Sequence, residues 1–197
     1  MRSKLFSYFE VACALLAAVG VVALAAAHQD GPVRLIDLEG RPRDLWQAGL
    51  DGPVVAIFTR SDCPISNRYA PEVRRLYEEF QPLGVEFALI YVDPRETPEA
   101  IRTHLKEYNY PCAALRDPEH ELATATGATV TPEAIVFDRS HDVVYRGRIN
   151  DLFVDFGKSR PEATTHDLED AIRATLEGRS VAQPVTKAVG CLIADLK

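Results

Sequence analysis

The stretch "PVVAIFT", Pro53 to Thr59, constrains the fold of this chain most, because its apolar run continues from Val54 to Phe58 without the polar alternation of a half-wet strand. Such a run belongs to a strand covered on both faces, with layers above and below it. Just past it the period changes: from Cys63, "CPISNRYAPEVRRLYEEF" reads as a helix to about Phe80. The rest of the chain alternates in the same way. "VRLIDL" predicts a short leading strand and "GVEFALIYVD" a second buried one. "TPEAIRTHLKEYN" predicts a helix with Thr97 as N-cap, Pro98 at its first position, and Ile101, Leu105 and Tyr108 on one face. "AALRD" is a weak strand, "PEHELATATG" a short helix stopped by Gly127, and "EAIVFD" with "DVVYRGRI" a hairpin around "RSH". The last helix, about Thr165 to Glu177, puts Leu168, Ala171, Ile172, Thr175 and Leu176 on one stripe before Gly178. The order β-α-β-α-β-α-β-β-α predicts an α/β fold, a central mixed sheet with helices on both faces.

With 197 residues, 47% hydrophobic and 26% charged, the chain carries enough apolar material for one globular core. The first 27 residues stand apart from it. Arg2 and Lys4 precede the apolar run "VACALLAAVGVVALAAA", Val11 to Ala27, which ends in small residues. This is the pattern of a signal peptide cleaved after Ala27, with an uncleaved membrane anchor as the alternative. Either one puts the domain in the periplasm or another extracytoplasmic space. Removing residues 1–27 takes away two of the 22 basic and one of the 29 acidic side chains, for a net charge of about −8 by formal counting. An acidic exported domain is a poor partner for nucleic acid. Cys13 lies inside the apolar run and reads as filler. The other three cysteines, Cys63, Cys112 and Cys191, are an odd number, so in an oxidising compartment at least one is free or pairs with another molecule.

Cys63 has a chemical reason for its place. A thiol at a helix N-terminus faces unpaired N–H groups and the positive end of the helix dipole, which favour the thiolate. Arg60 and Arg68 add to that effect and Asp62 opposes it. Cys112, in "YPCAAL" at the start of a strand, reads as core, and Cys191 sits in the apolar tail "TKAVGCLIADL". The pentapeptide "TPEAI" occurs at Thr97 and again at Thr131, entering a helix the first time and a strand the second. Pro132 therefore stands at the mouth of a buried strand, where a proline needs an edge, a bend or a cis bond.

Cysteine at a strand–helix junction, Pro71 eight residues later in "CPISNRYAP", and Thr131-Pro132 before a late strand together resemble the thioredoxin-like superfamily. Among its members the chain is most similar to exported redoxins and the alkyl hydroperoxide reductase/thiol-specific antioxidant group. The resemblance covers about Val33 to Gly178 and leaves residues 179–197 as a tail. It implies a three-layer thioredoxin-like fold, a cis Thr131-Pro132 bond facing Cys63, and thiol-disulfide exchange with a thiol or disulfide protein, without a cofactor or metal. Ser66 departs from the family's Cys-x-x-Cys. A hydroxyl cannot resolve a mixed disulfide, and Ser66 is expected to hydrogen-bond the thiolate or cap the helix. By elimination Cys191 becomes the expected resolving thiol, since an extended linker from Gly178 reaches on the order of 40 Å. The expected site is thus Cys63, Ser66, Thr131, Pro132 and Cys191.

Two other readings stay open. A peroxidase of the peroxiredoxin kind would need Pro-x-x-x-Thr-x-x-Cys; here Arg60 stands three before the cysteine and Thr59 one place too early, while Arg146 or Arg148 could supply a guanidinium. A copper carrier would need Cys-x-x-x-Cys, and residue 67 is Asn67. His28 could bind copper at a new N-terminus, but His104, His120, His141 and His166 fall on predicted helix surfaces or turns without metal-ligand spacing. The long loop "NDLFVDFGKSRPEATTHD" either packs on itself, covers the site or meets a partner.

Overall fold

The computed structural model describes residues 33–46 and 52–193. The signal-like segment 1–27, Cys13, His28 and the last four residues lie outside them. A sheet of seven strands forms the centre: β1 (Leu35–Ile36), β2 (Pro42–Arg43), β3 (Val54–Thr59), β4 (Glu86–Tyr91), β5 (Ala113–Arg116), β7 (Glu133–Phe137) and β8 (Val143–Gly147), in the order β2-β1-β5-β4-β3-β7-β8. β3, β4 and β5 run parallel, while β7 runs antiparallel to β3 and β8 to β7. This is the mixed sheet that the sequence predicts, with the unbroken apolar run in the middle.

Alternation along β3 divides its side chains between two cores. Val55 and Ile57 point to one face, where α2 (Ala70–Phe80) brings Val73, Leu76 and Phe80, α3 (Pro98–Glu107) brings Ile101, and α5 (Asp167–Leu176) brings Leu168, Ala171 and Ile172. Val54, Ala56 and Phe58 point to the other, against Leu35, Leu45 and the short helix α4 (Glu121–Thr126) with Leu122 and Ala123. Burial on both faces is why the strand has no polar positions.

Three local expectations meet their outcome here. Thr97 caps α3 by accepting the N–H of Ala100 at 3.2 Å, with Pro98 in the first turn. Gly127 ends α4 at φ +71, a conformation that favours glycine. The helix predicted in one piece from Cys63 to Phe80 is two, α1 (Pro64–Arg68) and α2, separated by Tyr69. Pro71 is the reason: it has no N–H for the carbonyl of Asn67 four residues back, and its ring crowds that carbonyl.

The sequence did not show five short strands, of which β2 pairs with β1 at the edge of the main sheet. β9 (Phe153–Asp155) and β10 (Lys158–Ser159) form a hairpin inside the long loop. The loop is closed at its base by Asp151, which accepts Thr164 N at 2.6 Å and Thr165 N at 3.0 Å, and Phe153 packs on the Tyr69 ring at 5.6 Å. The tail makes the other pair, with β11 (Cys191–Leu192) antiparallel to β6 (Val130–Thr131). It is first stitched to β8, where Arg146 N donates to Pro184 O at 2.9 Å and Thr186 N to Arg146 O at 3.0 Å. Ile193 then buries itself in the second core, whereas Leu192 is 52% exposed. No helix among the described residues is long and apolar enough to cross a membrane.

Leu76, with no exposed surface, holds α2 to the sheet. Leu76→Ala should cost about 2–5 kcal/mol of unfolding free energy, read as a lower urea midpoint with unchanged slope. A loss below about 1 kcal/mol would mean that α2 is not part of the main core.

Candidate active site

β3 delivers the chain to the edge of the sheet, and three residues of turn bring it to Cys63, the N-cap of α1 (φ −83, ψ 109), with Pro64 in the first helical turn. The turn closes by Cys63 N donating to Arg60 O at 3.3 Å, and the helix opens by Asn67 N donating to Cys63 O at 3.0 Å. The sulfur is 0% exposed. Its thiol donates to the carbonyl of Thr131 at 3.1 Å, and the Thr131-Pro132 bond that follows is cis. Cysteine and proline thus meet as expected, although 68 residues separate Cys63 from Thr131.

Cys191 completes the site from the other end of the chain. Its Sγ lies 2.9 Å from that of Cys63, because residue 191 is paired with Thr131 across β11 and β6. Ile193 N donating to Thr129 O at 2.9 Å continues the ladder. Gly190 permits the approach: a Cβ there would lie 2.0 Å from Thr131 O and 3.1 Å from Pro132 N. Cys112 is buried just before β5, away from this pair in the ladder, and all three cysteines are free thiols.

The three thiols differ in their surroundings. Burial alone would push the Cys63 pKa up, but hydrogen bonds from the Cys191 thiol, from the Ser66 hydroxyl and backbone N–H and from Thr131 outweigh it, and the net direction is down. Cys191 goes the opposite way, pushed up to about 12 by burial and by holding the proton shared with Cys63. Burial raises Cys112 to about 12 as well. The hydroxyls of Ser66 and Thr131 are buried with no hydrogen-bond partner, and both stand near enough to Cys63 to favour its charged form, so a thiolate there is the acceptor open to both. Ser66 lies inside α1 and is not its cap, which removes the capping expectation. Arg60 pairs with Asp62 at 2.9 Å, so these neighbours largely offset each other, and Arg68 is exposed.

Other side chains singled out by the sequence have different roles. Arg146 donates to Gly127 O at 2.5 Å and Arg148 pairs with Asp167 at 2.8 Å, which commits both guanidinium groups to the fold. His104 corrects the expectation of a surface histidine: it is 3% exposed, because both ring nitrogens have partners, the buried Tyr91 and the half-buried Asn67. His120 bonds Val92 O at 2.7 Å and His141 stacks on Trp46 at 4.4 Å. Glu72, His166 and Glu169 gather their ligand atoms within 4.8 Å, a cluster hidden from sequence spacing because it joins two helices. Its two carboxylates are already ion-paired with Arg75.

Comparison with known proteins bears on the family and the fold. The AhpC/TSA family matches residues 25–146, more than half of the chain, and the protein belongs to that family. An uncharacterized conserved protein from Geobacillus kaustophilus is 31% identical, with a TM-score of 0.70 over 83% of this chain and 88% of its own. A hypothetical protein from Sinorhizobium meliloti is 26% identical, with a TM-score of 0.70 over 81% and 88%. A secreted disulfide oxidoreductase of Mycobacterium tuberculosis shares the thioredoxin-like fold at 17% identity, with a TM-score of 0.50 over 75% of this chain and 96% of its own. No curated protein matches the chain.

These surroundings order the thiols by reactivity. In the reduced protein, alkylation of Cys63 should persist to lower pH than that of Cys191 and Cys112, whose thiols are pushed up to about 12 and hold their protons. Site-resolved alkylation rates against pH check this; equal rates at all three would contradict it. Ser66→Ala should slow Cys63 alkylation at neutral pH by several-fold, on the order of one lost hydrogen bond to a charged group.

Proposed function

We propose that the protein is a thiol-disulfide oxidoreductase in which Cys63 is the nucleophile and Cys191 the resolving thiol. The 2.9 Å contact between their sulfurs carries the reading. The Cys63 thiolate attacks a substrate disulfide, forming a Cys63–substrate bond and releasing the other half as thiolate. Cys191 then attacks the Cys63 sulfur, closing the internal disulfide and expelling the second half, which takes up the Cys191 proton. A thiolate of low pKa suits the first step, and a protonated partner poised beside it suits the second. Since Cys63 is covered, entry of a polypeptide substrate requires β11 to leave β6. An external dithiol donor returns the pair to its reduced state.

Family membership and the buried Arg60 Nε, which has no partner three residues before Cys63, favour a second reading as a hydroperoxide reductase. There Cys63 would take one oxygen to become a sulfenic acid, and Cys191 would displace water to form the same disulfide. Turnover with hydroperoxide but not with disulfide substrates decides for it. A non-enzymatic copper carrier would instead bind copper stoichiometrically, lose it in Cys63→Ser and turn over neither. The work of the domain outside the cytoplasm rests on the pattern of residues 1–27, and N-terminal sequencing of the secreted protein checks cleavage after Ala27.

Cys63→Ser should abolish reduction of a small disulfide substrate. Cys191→Ser should stop after one event, with half of the substrate held on Cys63, because Ser66 cannot expel it; sustained turnover in that variant would remove Cys191 from the mechanism. Gly190→Ala deletes no sulfur but pushes the tail from Thr131. It should make the internal disulfide easier to reduce, its equilibrium with a reference dithiol moving by roughly tenfold, about 1.4 kcal/mol. An unchanged equilibrium would mean that tail seating does not set the pairing.

A further inference from the structure

Asn67 occupies the place where a copper-carrying relative would have its second cysteine, and its side chain is fully employed. Nδ2 donates to the carbonyl of Ser61 at 2.9 Å, two residues before Cys63, and Oδ1 meets His104 Nε2 at 2.8 Å. The other nitrogen of His104, Nδ1, meets the hydroxyl of Tyr91 at 2.7 Å, and Tyr91 is 1% exposed at the end of β4. An amide whose NH₂ is committed to a carbonyl presents oxygen to its other neighbour, so His104 carries its hydrogen on Nε2. Burial pushes the His104 pKa down and keeps the ring neutral, which leaves Nδ1 as an acceptor for the Tyr91 O–H. The rings of Tyr108 and Tyr110 stand 4.8 and 5.6 Å from it, and Glu107 is the nearby charge. Four residues from four separate segments thus form one chain of bonds running from the Tyr91 hydroxyl to the Ser61 carbonyl.

We propose that Asn67 and His104 are positioning residues for the Cys63 nucleophile, because the chain Tyr91–His104–Asn67–Ser61 fixes the turn that presents the sulfur to α1. The proposal rests on Cys63 being the reactive thiol. Neither side chain touches the sulfur; both act on the turn. Asn67 grips that turn from two sides, its side chain on Ser61 and its backbone N–H on Cys63 O at 3.0 Å. Tyr110, which also packs against His104, donates to Ser66 O at 3.3 Å and so holds the same helix. A displacement of the sulfur by a fraction of an ångström takes it from the Ser66 N–H and hydroxyl, and the charged form is the one that loses most.

The test is the pH profile of Cys63 alkylation in the full reduced chain, with the thermal midpoint measured beside it. Asn67→Ala and His104→Leu should each slow Cys63 alkylation at neutral pH by about tenfold and move its apparent pKa upward, while Cys112, which lies outside the coupled pair, is unaffected. The double variant should lose no more than either single one, because both changes cut the same chain. His104→Gln, whose amide can donate to Asn67 Oδ1 from the position of Nε2, should recover most of the rate, and it serves as the folded variant where His104→Leu does not fold. Variants that melt earlier but keep the wild-type alkylation profile would overturn the proposal, and so would multiplicative losses in the double variant. The outcome is separable from the proposed activity. If Cys191→Ser fails to trap substrate on Cys63 while alkylation still follows the chain, the positioning stands and the resolving role falls.

Discussion

The contact on which the rest of the molecule depends is that of one buried sulfur with two distant strands. Cys63 reaches Thr131 and Cys191 only because β3 lies at the centre of the sheet, beside β7, and β6 leads directly into β7. The sheet therefore does more than supply a core. It places the end of β3 next to the Thr131-Pro132 bond, and the exposed side of β6 next to that bond receives the tail. Each segment is held by its own interactions, the helix by its core face, β6 by its continuation into β7 and the tail by its stitches to β8.

The electrostatic consequence is an asymmetric pair. Two thiols at this distance in a low-dielectric site do not ionise together, and one proton between them goes where it costs least. The donors converge on Cys63: the Ser66 N–H and hydroxyl, Thr131 and the Cys191 thiol itself. Cys191 has burial, the bond to Cys63, the Cys63 charge and Asp62 against its ionisation, and Arg60 in favour of it. A thiol whose charged form is favoured and a neighbour that holds its proton follow from the same geometry. Ser66 brings to that arrangement a buried hydroxyl without a hydrogen-bond partner, placed where it favours the charged form of Cys63.

Much of this was legible in the sequence, and the exceptions have physical causes. The unbroken run in β3, the cap at Thr97 and the Thr-Pro before β7 each express a local requirement, burial on both faces, an unpaired N–H or a bend, and local requirements are written in neighbouring residues. The break at Tyr69 follows from Pro71, which has no N–H to offer the carbonyl of Asn67. What could not be read was cooperative. β11 has no strand pattern of its own and exists because Thr131 offers it a ladder; Gly190 before the cysteine does signal a close backbone approach, but only the fold shows that the Thr131 carbonyl is what it approaches. His104 looked like a surface residue because the helix pattern around it favours Leu105 and Tyr108. Its burial is explained by Tyr91 and Asn67, which are distant in the chain and polar, so hydrophobic periodicity carries no trace of them.

The central claim is that the tail supplies the second sulfur. Peptide mapping of the mildly oxidised domain by mass spectrometry, without reduction, tests it most directly. The account predicts one bridge, Cys63–Cys191, with Cys112 left as a free thiol. A Cys63–Cys112 bridge, or Cys63 oxidised alone while Cys191 stays reduced, would contradict it.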